Sequence, residues 1–331
     1  MAYRPQKILI VRFSSIGDLV LTSPVIRNLR LNFPDAEIHF LCKSAFSSVL
    51  HYHPEIHKIW TISKSIFEVH RLLKIEGFDW MIDLQNNRRS FVLSRLLKVK
   101  TNRFKKLNFK KWLLTQFKVN RLPELHIVDR YLSPLKAQGL AIERCPLEYH
   151  LSKADQSEAA ALLETTPFPF VAIVLGAAHF TKSPPFQLWT EILSRLTLPI
   201  VLLGGDKERD IADQLSKNHT TLNLVGKCSL GVSAAIIEKS NHVITPDTGL
   251  MHIAAAFHKP IASIWGNTVP EFGMYPYYGN QTIPQYQSKV SLDCRPCSKI
   301  GFPTCPKRHF NCMNKQDVKA LVEWTSKLSS D

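Results

Sequence analysis

The sequence predicts an α/β protein built from two open parallel-sheet domains. Three observations carry this reading. Short apolar, β-branched runs alternate with amphipathic stretches in the first half. The same grammar restarts after a polar, proline-bounded segment at residues 147–170. Several runs end in Gly or Pro, the usual place for functional loops at the carboxyl edge of a parallel sheet.

In chain order, "KILIV" (7–11), "EIHFLC" (37–42), "KIWTI" (58–62) and "WMIDL" (80–84) read as strands. Between the first two, Ser23 to Phe33 carries apolar residues at helical spacing and stops against Pro34, which cannot continue a helix comfortably. "LEYHLSKADQSEAAALLETTPFPF" (147–170) begins as a polar linker, passes through a helix and ends at Pro167 and Pro169. It divides a first domain, 1–160, from a second, 161–331. The second contains the strand-like runs "FVAIVLG" (170–176), "PIVLLGG" (199–205), "TLNLVG" (221–226), "HVITP" (242–246) and "PIASIWG" (260–266). A Cys-rich loop at 294–312 and a terminal helix close it. Two such domains side by side make a cleft between their sheet edges, where ligands bind.

A chain of 331 residues, 45% hydrophobic and 21% charged, is an ordinary globular protein long enough for two domains. No run approaches the roughly 20 apolar residues of a membrane span. The opening "MAYRPQKILIV" lacks the longer apolar region of a signal peptide, so a cytoplasmic location is expected. Lys and Arg number 42 against 27 Asp and Glu, a net +15 that favours polyanionic partners. Much of the excess lies in "NNRRSFVLSRLLKVKTNRFKKLNFKKWLL" (86–114), where basic residues alternate with aromatic and aliphatic ones. This stretch is either a solvated helix face or a surface that meets phosphates or lipid head groups. No helix-turn-helix, zinc-finger or RNP signature points to nucleic acid. No GxGxxG follows a strand, so a dinucleotide site is unsupported.

Two segments carry chemistry. In "VRFSSIGDLV" (11–20) a strand stops at a polar turn, and Asp18 stands where a helix begins. It either caps that helix or accepts a proton. In "HVITPDTGLMHIAAAFHKPIASIWG" (242–266), Asp247, Thr248 and Gly249 open a helix that contains His252 and three alanines. Free N–H groups at such a start attract anions, and Gly249 lets a phosphate come close. The plainer alternative is that Asp247 caps the helix and His252 is a satisfied core residue.

These segments resemble glycosyltransferase family 9, the ADP-heptose:lipopolysaccharide heptosyltransferases. Arg12 to Asp18, with Thr22 and Pro24, is similar to the family's R/KxSSxGD and xxxTxP. "DLQNNRRS" (83–90) is similar to DLxxNxRS, and Asp247 to Ala256 to DTGxxHxAAA. The resemblance spans essentially the whole chain. It implies a GT-B architecture, two Rossmann-like domains facing across a cleft, with acceptor on the first and nucleotide sugar on the second. It implies Asp18 as general base, with acceptor contacts at Ser14, Ser15, Gly17, Asn87, Arg88 and Arg89. It also implies a donor site of Gly176, Ala177, Ala178, Glu208, Asp247, Thr248, Gly249 and His252. Lys182 stands at the family's donor-phosphate lysine and Glu208 at its ribose-binding glutamate. Ser183 and Pro184 depart from the family's basic and aromatic residues after that lysine, which leaves the donor sugar open.

The implied reaction is inverting transfer of heptose from ADP to a lipopolysaccharide core acceptor. That acceptor is an anionic glycolipid, which implies peripheral contact with the inner face of the cytoplasmic membrane. No DxD pair is present, so no metal cofactor for catalysis is expected. Two alternatives stay open: a related GT-B transferase with another donor or glycan acceptor, and a non-catalytic GT-B binding module. Cys294, Cys297, Cys305 and Cys312, with His309 nearby, satisfy zinc-ligand spacing loosely. A structural zinc site and reduced thiols are the two readings.

Overall fold

The computed structural model describes residues 4–328. The chain divides into two compact units: residues up to 106 together with 125–150, and 107–124 together with those from 151 onward. The ends of the two domains expected from sequence, 1–3 and 329–331, lie outside the described residues. Residues 151–160 cluster with the second unit because the helix Lys153–Leu162 packs on the helix Leu230–Lys239. There Ser229 Oγ donates to Asp155 Oδ1 at 3.3 Å.

The first unit contains β1 (Lys7–Val11), β2 (Glu37–Lys43), β3 (Lys58–Ile62), β4 (Trp80–Asp83) and β5 (Lys100–Arg103). All pair in parallel in the order β3-β2-β1-β4-β5, with Ile8 opposite both Ile38 and Trp80. The second contains β6 (Val171–Val174), β7 (Ile200–Leu203), β8 (Thr221–Asn223), β9 (His242–Pro246), β10 (Ile261–Ile264) and β11 (Gln285–Gln287). These run in the order β11-β10-β9-β6-β7-β8, again all parallel. Renumbered within each unit, the orders are 3-2-1-4-5 and 3-2-1-4-5-6, the winding of dinucleotide-type folds. The order reverses between β1 and β4 in one sheet and between β6 and β9 in the other, so each unit has a crevice at those carboxyl ends.

Burial follows the winding. Strands β4, β6, β7, β9 and β10 are buried at every position, because helices cover both faces. In the first unit Leu9, Val11, Leu41, Met81 and Leu93 share one core. In the second, Val171, Ile173, Leu202 and Ile244 pack against the helix Phe186–Leu193 and Leu321 of the last helix. Of the four edge strands, β5 and β11, "KTNR" and "QYQ", lack the apolar pattern and are half-exposed. No described helix is long and apolar enough to cross a membrane.

Candidate active site

The crevice of the first unit is built from the segments that leave β1 and β4. Ser15 is the N-cap of the helix Ile16–Val20, and Asp18, its third residue, closes a capping box by accepting the Ser15 backbone N–H at 3.2 Å. Asp18 therefore does cap its helix, and the carboxylate does more. Arg12 lies 2.7 Å from Oδ2, and the Tyr131 hydroxyl donates to Oδ1 at 3.0 Å. Arg12 is itself nearly buried; its guanidinium also donates to the carbonyls of Ser14 and Leu84, at 2.8 and 2.7 Å. Burial alone raises the Asp18 carboxyl, but the Arg12 charge and the donors from Ser15 and Tyr131 outweigh it and hold the group below the ordinary range.

The β4 segment completes this end. Gln85 accepts the Phe13 N–H at 2.9 Å, tying the two loops together across the switch point. Asn87 caps the helix Arg88–Leu97 by accepting the Ser90 N–H at 3.0 Å, so its side chain is engaged. Arg88 and Arg89 are exposed in the first turn of that helix, where positive charge opposes the helix dipole by roughly 0.3–1 kcal/mol each. Of the residues expected to meet an acceptor, Ser15 is exposed and Ser14 half-buried. Gly17 is buried in the helix Ile16–Val20.

In the second unit, Lys182 and Asp247 meet. Lys182 Nζ lies 2.7 Å from Asp247 Oδ2, which also accepts from the Thr268 hydroxyl at 2.9 Å. Thr248 is the N-cap of the helix Gly249–Ala256 and makes no side-chain capping bond, so its hydroxyl leaves the first-turn N–H groups untouched. Thr248 and Gly249 are half-buried, while His252 and the three alanines behind it are buried in the packed face.

The loop after β6 differs from expectation at one point. The Ala177 N–H donates to Ser183 Oγ at 3.0 Å, so it is not open to a ligand; Ser183 uses its departure from the family pattern for this bond. Glu208 accepts the Gly205 N–H at 3.0 Å and lies so close over Gly176 that a β-carbon there would fall 2.2 Å from its carboxyl group. Burial pushes the Glu208 carboxyl above its usual value.

With that geometry in place, comparison with known proteins decides the family. A sequence model of "Glycosyltransferase family 9 (heptosyltransferase)" matches residues 66–301. The chain belongs to glycosyltransferase family 9. It is 24% identical over 300 residues to the "Lipooligosaccharide heptosyltransferase 2" of Haemophilus influenzae, covering 80% of this chain and 84% of that one. A family 9 glycosyl transferase from Veillonella parvula superposes with a TM-score of 0.79 at 20% identity, covering 99% and 98% of the two chains. The "ADP-heptose lps heptosyltransferase II" of E. coli superposes at 0.69 and 19% identity, covering 97% and 99%. The fold is GT-B, and the protein is a glycosyltransferase.

In this family 9 chain the Cys-rich loop buttresses the Lys182 turn. The Thr181 hydroxyl accepts the Phe302 N–H at 2.8 Å, and Phe180 stacks on Phe310 at 5.0 Å. Gly266 lies where a β-carbon would come within 2.3 Å of the Thr181 carbonyl, and Arg295 donates to the Gly266 and Thr268 carbonyls at 2.8 and 3.1 Å. The four thiols have zinc's donor chemistry, but a tetrahedral site needs sulfurs about 3.8 Å apart. Among the described residues no three of them come within 4.8 Å of one another. Cys297 instead donates to the Cys294 carbonyl at 2.9 Å, and Cys312 is buried in the apolar core. Cys294 Sγ lies 3.8 Å from His309 Nε2.

Sequence reasoning missed Arg12 and Tyr131 as partners of Asp18, and Thr268 as partner of Asp247. Arg12 stood inside the quoted motif; Tyr131 and Thr268 carried no local signal. Asn267 was also missed: it is 1% exposed, and neither polar atom of its side chain has a hydrogen-bond partner.

Proposed function

We propose that this glycosyltransferase moves heptose from ADP-heptose to the core of a lipopolysaccharide precursor with inversion at the anomeric carbon. One observation carries the reading most: each unit holds a carboxylate paired to a cation at its own switch point, Asp18 with Arg12 and Asp247 with Lys182. The names of the relatives support the donor and acceptor.

In this scheme an acceptor hydroxyl attacks the anomeric carbon as its proton passes to Asp18. The bond from that carbon to the diphosphate breaks, and ADP leaves. Arg12 and Tyr131 keep Asp18 ionised and aimed. That makes it a weak base, which accepts the proton late, after bond formation has made the hydroxyl acidic. Lys182 and the free N–H groups at Thr248–Gly249 stabilise the charge that gathers on the diphosphate. Arg88 and Arg89, placed against their helix dipole, meet phosphates of the acceptor.

The acceptor is a glycolipid at the inner face of the membrane. The helix Asn108–Phe117 presents a surface for it: Phe109 and Phe117 are 69% and 61% exposed and pack on Trp112, beside Lys110 and Lys118. The testing experiment supplies purified protein with ADP-heptose, other ADP- and UDP-sugars, and a heptose-deficient core glycolipid. ADP release with a new glycosidic bond, only with ADP-heptose, supports the reading. The Ser183–Ala177 bond favours one rival, transfer from a different nucleotide sugar, and a product from such a donor alone would establish it.

A further inference from the structure

A second cluster, wholly inside the first unit, has no part in the chemistry above. His53 follows the turn at Ser44–Val49, and Glu148 and His150 sit at the last residues of that unit. His53 Nε2 lies 3.9 Å and His150 Nε2 3.5 Å from Glu148 Oε2, and the two rings meet edge to face at 4.8 Å between centroids. All three ligand atoms lie within 4.8 Å of one another. Both Nε2 atoms are buried and make no hydrogen bond. Buried ring nitrogens are ordinarily paired, and two orphans facing one carboxylate require an explanation.

We propose that His53, Glu148 and His150 form a binding site for a zinc-class divalent cation, with a water in the fourth position. The spacing carries the proposal. His150 Nε2 stands at the outer limit of a hydrogen bond to Glu148 and His53 Nε2 beyond it, and all three atoms are close enough to share an ion. A tetrahedral zinc with ligands at 2.0–2.2 Å sets them about 3.3–3.6 Å apart, so contraction by a few tenths of an ångström to about 1 Å closes the set. Two imidazoles and one carboxylate suit zinc rather than magnesium or calcium, which prefer oxygen. Both segments are already held: the Glu148 N–H donates to Ser23 Oγ at 2.9 Å, and the His53 N–H to the Leu50 carbonyl at 3.0 Å. Two features work against the ion. The Glu55 N–H contacts His53 Nδ1 at 3.3 Å, a long bond given up when Nδ1 carries the proton. Arg27 is also nearby, but its charge is turned to Glu55, 3.5 Å away. Bound metal would pin residues 148–150 to the turn at His53.

The test uses full-length protein stripped with chelator under reducing conditions, then titrated with Co²⁺ and, separately, Zn²⁺. Wild type should show cobalt ligand-field bands without the near-ultraviolet thiolate charge-transfer band, and Zn²⁺ should raise its melting temperature. Glu148→Gln and His150→Gln, both partly exposed and checked for native circular dichroism, should bind Co²⁺ at this site more than about 100-fold more weakly, beyond what loss of an outer-shell partner costs. A Cys294→Ser/Cys297→Ser variant should keep the sulfur-free spectrum. Absence of that spectrum in wild type, its persistence in Glu148→Gln and His150→Gln, or its loss in the cysteine variant overturns the proposal.

Discussion

The Tyr131 hydroxyl reaches Asp18 Oδ1 at 3.0 Å, joining residues 113 positions apart in the chain. Together with Arg12 it makes Asp18 a carboxylate held in place and held ionised. In Asp18→Asn the amide oxygen still accepts from Ser15, but Arg12 loses its counter-charge. We expect kcat to fall by roughly 10²–10⁴-fold and unfolding free energy by about 2–3 kcal/mol, below the figure for a fully buried pair. Tyr131→Phe should cost about 1.5–3 kcal/mol yet keep most of kcat. Initial rates with denaturant unfolding of each variant check both; wild-type turnover in Asp18→Asn leaves Asp18 as a cap.

The depressed Asp18 carboxyl also sets a pH dependence. Its folded value lies below the unfolded one, so its stabilisation is present above about pH 4 and lost as pH falls through the folded value. The same sign keeps it ready to take a proton throughout the neutral range. A profile of kcat/KM should therefore show no acid limb from Asp18 between pH 5 and 8. A limb in that window, retained after correction for donor ionisation, would assign the base to another group.

Lys182→Ala removes a cation from Asp247, which keeps its bond from Thr268. ADP affinity should weaken about 10- to 100-fold, the worth of one charge-assisted hydrogen bond, and the unfolding free energy should fall by about 2–3 kcal/mol, as in Asp18→Asn, because the buried Asp247 carboxylate loses its counter-charge. Calorimetric titration with ADP reads this directly, and unchanged affinity would detach Lys182 from the diphosphate.

Thr181→Val keeps shape but removes the hydroxyl that anchors Phe302. Because the Lys182 turn rests on that strap, KM for the donor should rise several-fold with kcat less affected. Equal donor KM in Thr181→Val and wild type would show that the turn holds its own shape.

His242 reports on stability alone. Burial lowers its imidazole to about 4, its Nδ1 faces Asn241 Oδ1 at 2.8 Å, and its ring meets Trp324 edge to face. The unfolded chain binds the proton first, so stability is full above about pH 6.5 and declines towards pH 4. His242→Phe keeps the ring contact and removes the titration. The decline should shrink by up to about 3 kcal/mol, from 1.36 kcal/mol per pH unit; equal slopes in urea unfolding at pH 7 and 4.5 would refute it.

The fold was legible because strands buried on both faces are continuous apolar runs, as in "KILIV" and "HVITP". The polar edges "KTNR" and "QYQ" carried no such mark, and only pairing reveals them. Asp18 and Asp247 were legible because each lies in a short motif at a strand end, whereas Lys182 was named only through the family resemblance. Tyr131 was not: it sits in the short helix Ile127–Tyr131 with no pattern of its own, and only tertiary folding brings it to Asp18. The engagement of Ala177 by Ser183 was likewise hidden, since sequence shows that Ser183 departs from the family but not where its hydroxyl turns.

The pairing of Lys182 with Asp247 turns donor recognition into a competition. On the reading proposed above, a ligand does not meet a bare cation; it must displace a carboxylate seated at 2.7 Å. A lone carboxylate offers Lys182 nothing it does not already hold, whereas a diphosphate brings more charge and spare oxygens for the neighbouring helix start. The resting protein thus sets an admission threshold. On that reading a monocarboxylate would meet Lys182 on no better terms than Asp247 does, and a diphosphate on better ones.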